Sequence, residues 1–162
     1  MDRDSELDIV RRAYAKQVIA AAGDADRVRV VQGDGSRVDF AEADVIFVNA
    51  GATRPADLWL DRLRDGGRLI LPLTAADFLA GDHGRGAVFK IVRCGGNEFS
   101  ARRISGVAIF PCAGMRDAAS EAAFAAALAT GRADEVRRLY RTNDIPEEDC
   151  WLRGDGWCLA YR

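Results

Sequence analysis

Two apolar runs, Val45-Ile46-Phe47-Val48 and Leu69-Ile70-Leu71-Pro72-Leu73, constrain this chain more than any other feature. Neither alternates polar with apolar residues. A strand built from the first has apolar side chains on both faces, as in the centre of a parallel sheet covered by helices. Between the runs, Thr53 can cap a helix with Pro55 close to its first turn. Leu58, Trp59 and Leu63 would form its buried side, and Gly66-Gly67 would end it. Strand, helix, strand with short links is the pattern of an α/β sheet.

Upstream, Ser5-Glu6-Leu7-Asp8 has capping-box form. Leu7, Val10, Tyr14, Val18 and Ala21 follow at helical spacing, predicting a helix that ends near Gly23. Val28 to Val31 reads as a short strand, broken by Gly33-Asp34-Gly35. Downstream, Ala87 to Val92 and Phe99 to Ile104 flank Gly95-Gly96-Asn97 and predict a hairpin. Gly106 to Phe110 extends its second arm beyond a bend. Residues 117–130 read as an alanine-rich helix, and Val136, Leu139 and Tyr140 as a second one. Residues 142–149 form a polar loop. Trp151 to Tyr161 turns at Gly154-Asp155-Gly156, giving a terminal hairpin whose tryptophans cover one end of the core.

Composition sets the outer limits. With 162 residues the chain can bury one core, and 49% apolar residues exclude disorder throughout. A formal net charge of −2 calls for neither nucleic acid nor an anionic membrane as partner. No apolar run approaches the roughly 18 residues of a membrane span, and the start lacks the look of a secretory leader. The cytoplasm is therefore the expected compartment, with Cys94, Cys112, Cys150 and Cys158 as reduced thiols. A Cys150–Cys158 disulfide is the alternative. No two cysteines form a CxxC pair and His83 is the single histidine, so no metal site is expected.

Three local patterns then fall into a recognisable order: Asp2 before a helix, Gly33-Asp34-Gly35 after a strand, and Gly66-Gly67-Arg68-Leu69-Ile70-Leu71-Pro72 opening a later strand. Over residues 2 to about 110 this order resembles a class I S-adenosylmethionine-dependent methyltransferase, and most closely the protein-L-isoaspartate O-methyltransferase group. The resemblance implies an α/β fold with a Rossmann-like methyltransferase sheet. It would be truncated, with strands 3-4-5-7-6 of the family order retained and a C-terminal helical and hairpin extension. Residues 1–110 would be the partial methyltransferase domain, and 111–162 an extension packed on the same core.

The resemblance also assigns roles. Asp2 matches the carboxylate that accepts the ribose hydroxyls of S-adenosylmethionine, and Asp34 matches the residue on the adenine side, flanked by Gly33 and Gly35. Asn49 and Ala50 end a buried strand where ligands collect in open α/β sheets, so they would line the donor pocket. Taken alone, Asp2 also fits a solvated terminal charge, Asp34 an ordinary Asp-Gly turn, and Asn49-Ala50 a tight strand-to-helix turn. No catalytic base stands out, and methyl transfer needs none in plain view because alignment supplies most of its rate.

One family element is missing. No acidic, glycine-rich loop after a first strand precedes Asp2, and Gly81 to Gly86 sits between a strand and the hairpin rather than between strand and helix. The family sheet order is 3-2-1-4-5-7-6, so losing strands 1 and 2 would leave strands 3 and 4 with unpaired facing edges. The expectation is therefore the C-terminal two-thirds of a longer methyltransferase, with Met1 an internal methionine read as a start. Its partner would be a protein or peptide substrate, and its open edges could drive self-association. The alternative is a non-catalytic interaction module that keeps half of the fold. A nicotinamide-dependent dehydrogenase shares the acidic-residue logic, but the hairpin after the second apolar strand fits a methyltransferase better. Arg153-Gly154-Asp155 reads as a coincidental tripeptide, and His83 as a solvated loop residue.

Overall fold

The computed structural model describes residues 26–76 and 84–162, together with Gln17, Ile19, Ala20 and Gly23. The expected capping box at Ser5, the stripe from Leu7 to Ala21, Asp2 and His83 lie outside the described residues. Backbone contacts divide the chain into two compact units, Met1–Val38 and Asp39–Arg162.

The second unit is built on a mixed sheet. Its strands are β1 (Ala43–Phe47), β2 (Leu63–Ala76), β3 (Gly84–Gly95), β4 (Glu98–Ile109), β5 (Arg138–Tyr140), β6 (Cys150–Gly154) and β7 (Trp157–Ala160), in the order β1-β2-β3-β4-β5-β7-β6. The pair β1–β2 is parallel and joined through the short helix α1 (Asp57–Asp61). Every other neighbouring pair is antiparallel. The longer helix α2 (Ala118–Ala129) begins at Asp117, whose carboxylate accepts from the Ser120 amide at 2.7 Å. That bond satisfies an amide the helix itself leaves open.

One face of this sheet is the core. Leu69, Leu71 and Leu73 of β2 alternate inward and are fully buried, as are Phe89 and Ile91 on β3 and Phe99 on β4. Trp59 and Leu60 of α1, Phe124 of α2 and Trp151 of β6 belong to the same cluster. Trp151 lies 5.4 Å from Phe89 and meets Phe124 edge to face at 6.2 Å. Its indole N–H donates to the Ala127 carbonyl at 3.1 Å, so this large ring is buried without an orphaned donor. In the terminal hairpin the Trp157 indole nitrogen occupies the place a Cβ would take at Gly154, which explains glycine there.

Several expectations hold. The hairpin around residues 95–97, the alanine-rich helix, the buried strand at 69–73 and the terminal hairpin all form. The α/β class stands, as a sheet with one parallel βαβ unit.

Other expectations are corrected. Val28–Val31 is not a strand; Val28 and Val31 are exposed, and no strand among the described residues offers them a ladder. The strand set 3-4-5-7-6 therefore lacks its first member, and its order differs too. The first arm of the hairpin, β3, lies beside β2, and the second arm lies outside it. β3 starts at Gly84, close in sequence to the end of β2 at Ala76, and so close a neighbour pairs most readily as an antiparallel return.

The Val45–Val48 run is an edge rather than a centre. Among the described residues β1 pairs with β2 alone, and Phe47 is 66% exposed. Thr53 caps no helix: α1 starts after Ala56 with no side-chain cap, while Thr53 is buried against Met115. Gly66-Gly67 does not end α1, which stops at Asp61; Gly66 takes a positive φ of 78° within the irregular start of β2. Val136, Leu139 and Tyr140 belong to no helix. A 3-10 turn at Ala133–Glu135 leads into β5, where Leu139 pairs with Phe99 on one side and Leu159 on the other. Two open ladders outweigh a helical spacing of three residues there. Finally, Cys150 and Cys158 are joined by a disulfide within the last hairpin, leaving Cys94 and Cys112 as free thiols.

Candidate functional site

The turn after β1 carries the first group of candidate residues. Asn49 is exposed and Ala50 half-buried. The chain then dives beneath the surface. Gly51 bridges to Pro111 and Ala52 to Leu73, both in parallel sense. The Gly51 amide donates to the Phe110 carbonyl at 2.8 Å, and the Gly51 carbonyl accepts from the Cys112 amide at 2.8 Å. A side chain at position 51 would collide with the Thr74 hydroxyl, so the turn can thread here only as glycine.

A partly buried polar network holds this turn. The Arg116 guanidinium donates to the Thr74 hydroxyl at 3.1 Å and to the Gly51 carbonyl at 3.3 Å, and pairs with Glu121 at 2.6 Å. The other Glu121 oxygen accepts from the Ala76 amide at 2.5 Å. Thr53 accepts from the Asp117 amide at 3.2 Å and donates to the Met115 carbonyl at 3.2 Å. Sequence reasoning passed over Arg116, Glu121 and Thr74. Arg116 and Glu121 lie five apart and meet only because the chain between them starts a helix, so no spacing rule announces the pair.

The Asp117 carboxyl is held below its ordinary value. Its cap bonds from Ser120 are the main cause, with smaller contributions from the nearby Arg54 charge and Thr53.

Gly33, Asp34 and Gly35 form a turn in the first unit. One Asp34 oxygen accepts from the Ser36 amide at 2.9 Å and the Ser36 hydroxyl at 2.7 Å. Those bonds, and the Arg37 guanidinium, keep the carboxyl below its ordinary value. The other oxygen lies 3.5 Å from the exposed Arg37 guanidinium. A Cβ on Gly33 would lie 2.5 Å from Val38, whereas one on Gly35 would meet nothing within 4 Å. The turn thus presents an ionised carboxylate, with space where a Cβ would stand at Gly35. Among the described residues, no group of three or more His, Cys, Asp or Glu side chains could hold a metal ion. No helix among them is long and apolar enough to cross a membrane.

Comparison with known proteins follows these motifs. The family description protein-L-isoaspartate(D-aspartate) O-methyltransferase matches residues 6–111. A protein-L-isoaspartate O-methyltransferase of Thermococcus onnurineus (strain NA1) is 30% identical over 103 residues, covering 62% of this chain and 44% of the relative. The enzyme of the same name from Pyrococcus abyssi (strain GE5 / Orsay) is 33% identical over 103 residues, with the same coverage of 62% and 44%. Among solved structures, a Plasmodium falciparum protein assigned as a protein-L-isoaspartate O-methyltransferase, in complex with S-adenosyl-L-homocysteine, is 16% identical. It covers 60% of this chain and 45% of its own, with a TM-score of 0.47. The chain spans a little under half the length of the curated relatives it matches. Matched over most of its length, from before the Asp34 turn to the end of the β3–β4 hairpin, this chain belongs to the protein-L-isoaspartate O-methyltransferase family.

Proposed function

We propose that this chain carries the body of an S-adenosylmethionine-dependent methyltransferase acting on a carboxylate of a protein or peptide, as the isoaspartate enzymes do. The family match over residues 6–111 carries this reading. When bound, the donor supplies an electrophilic sulfonium methyl that an acceptor oxygen takes, with S-adenosylhomocysteine as the by-product. Asp34 accepts from the adenine amino group through the oxygen that Ser36 leaves free. Gly33 and Gly35 let the backbone of that turn come close. Asn49 and Ala50 line the donor pocket from the end of β1. Asp2 holds the ribose, by its place in the family pattern. No residue is assigned as a catalytic base. The proposed compartment is the cytoplasm.

Calorimetric titration with S-adenosylhomocysteine tests this reading. Micromolar binding that Asp34→Ala abolishes is the expected result. A folded chain that takes up no heat-detectable ligand overturns donor binding by this form.

One observation favours a second reading, a non-catalytic module that pairs through its sheet edge. β1 has no second neighbour among the described residues and exposes Val45 and Phe47. An open apolar edge is a template for another strand. Sedimentation velocity at rising concentration would reveal the resulting self-association, and Phe47→Lys should suppress it.

A further inference from the structure

The sheet has a second face, opposite the core. Leu69, Phe89, Ala101 and Leu139 are buried on the core side. Arg68, Lys90, Arg102 and Arg138 each stand one position away from one of them, so strand alternation turns all four to the other face. They come from four successive strands, β2 to β5, one cation from each.

The register draws them into a line. Across β2 and β3, Arg68 lies opposite Val92 and Ile70 opposite Lys90. Across β3 and β4, Lys90 lies directly opposite Arg102. Ser100, two residues before Arg102, lies opposite Arg138 on β5. With strands about 4.8 Å apart, the line crosses about 14 Å of sheet. At its β1 end, Phe47 lies opposite Ile70 with its side chain exposed.

These charges are unbalanced. Two neighbouring arginines of the same strands are paired, Arg93 with Asp65 at 3.5 Å and Arg103 with Asp134 at 2.9 Å. The four cations of the line form no ion pair among the described residues, and Glu98, the acidic residue of β4, is joined to none of them. Like charges directly opposite each other weaken a ladder. Lys90 and Arg102 are such a pair, and a bound anion would relieve them. The formal net charge of −2 for the whole chain conceals this local excess.

A line of cations, one per strand, fits a linear polyanion better than a single compact anion. A broad anionic surface would also meet the acidic remainder of the chain. Phe47, beside the line, offers an exposed ring on which a base can stack. We infer that this face binds single-stranded nucleic acid, its phosphates along Arg68, Lys90, Arg102 and Arg138 and a base on Phe47. Binding here requires no methyl donor, so its success or failure is independent of the proposed methyl transfer.

Fluorescence anisotropy of a fluorescein-labelled oligothymidylate of about ten nucleotides, titrated with the full oxidised chain, tests the inference. Saturable binding is expected, its logarithm falling with the logarithm of salt at a slope of about −3 for four phosphate contacts. The double variant Arg68→Gln/Arg102→Gln should weaken binding by about tenfold and flatten that slope to about half. Phe47→Ala should weaken binding by about tenfold and leave the slope unchanged. Arg162→Gln, at a side chain 78% exposed and outside the line, should change neither. Arg102→Gln alone should unfold in urea no earlier than wild type, since it removes a repulsion, so weaker binding cannot be laid to a damaged fold. Absent binding at low salt, unchanged affinity in the double variant, or an equal loss in Arg162→Gln would overturn the inference. So would displacement of the oligonucleotide by an equal concentration of inorganic phosphate, or binding to phosphatidylserine vesicles in its place.

Discussion

Arg116 and Glu121 meet at 2.6 Å where α2 begins, and through them the end of β2 is fastened to the turn after β1. Both side chains are mostly buried, at 18% and 25% exposure. Removing one partner would strand the other's charge and also release the Thr74 hydroxyl and the Gly51 carbonyl. Arg116→Ala should cost about 2–3 kcal/mol, and the Arg116→Ala/Glu121→Ala pair less than the sum of the single changes. Urea unfolding of the double-mutant cycle measures both quantities.

Trp151 anchors the terminal hairpin by packing and by one hydrogen bond to Ala127. Trp151→Phe keeps much of the ring but loses that bond and opens a small void. The expected loss is about 2 kcal/mol in chemical denaturation. A loss below roughly half a kcal/mol would mean that the indole N–H contributes nothing net.

Asp117 gives a pH-dependent test. Its carboxyl is held below the ordinary 3.8 by its cap bonds to Ser120. A depressed folded value means the contribution is fully present above about pH 4 and fades as acid protonates the group. At neutral pH Asp117→Ala should therefore be less stable by about 1 kcal/mol, the usual worth of such a cap. The gap between wild type and variant should close as pH falls through the carboxyl's lowered range. Thermal melts from pH 7 downward follow it.

The disulfide predicts a thiol count. Native oxidised protein should show Cys94 and Cys112 to a thiol reagent after denaturation, and all four cysteines only after reduction. With its ends eight positions apart in sequence, the Cys150–Cys158 link should contribute about 2–3 kcal/mol through chain entropy. Paired replacement by serine measures that loss. Four reactive thiols in protein taken directly from a reducing cytosol would show the hairpin holding without the link.

How far the sequence could be read depended on where each segment found its partners. The hairpin at 95–97 and the α2 helix carry their instructions locally, in turn glycines and in an aspartate three residues ahead of Ser120. They appeared as expected. Val45–Val48 formed its parallel strand but not at the centre of the sheet, and Val136–Tyr140 formed no helix, for the opposite reason. An apolar run shows that burial is wanted but not which neighbours are present, and Leu139 became a strand residue because Phe99 and Leu159 flank it. At the candidate site, Gly33-Asp34-Gly35 was visible as a short motif. Arg116, Thr74 and Glu121 were invisible because their contact spans β2 and α2.

The sheet also implies an order of assembly. From β2 to β4 each strand returns beside its predecessor, so these pairings close short loops and can zip in sequence. β1 must instead wait for a crossover through α1 and, among the described residues, has one flank to hold it. It should be the last strand to join during refolding and the first whose amides exchange with deuterium in the native state.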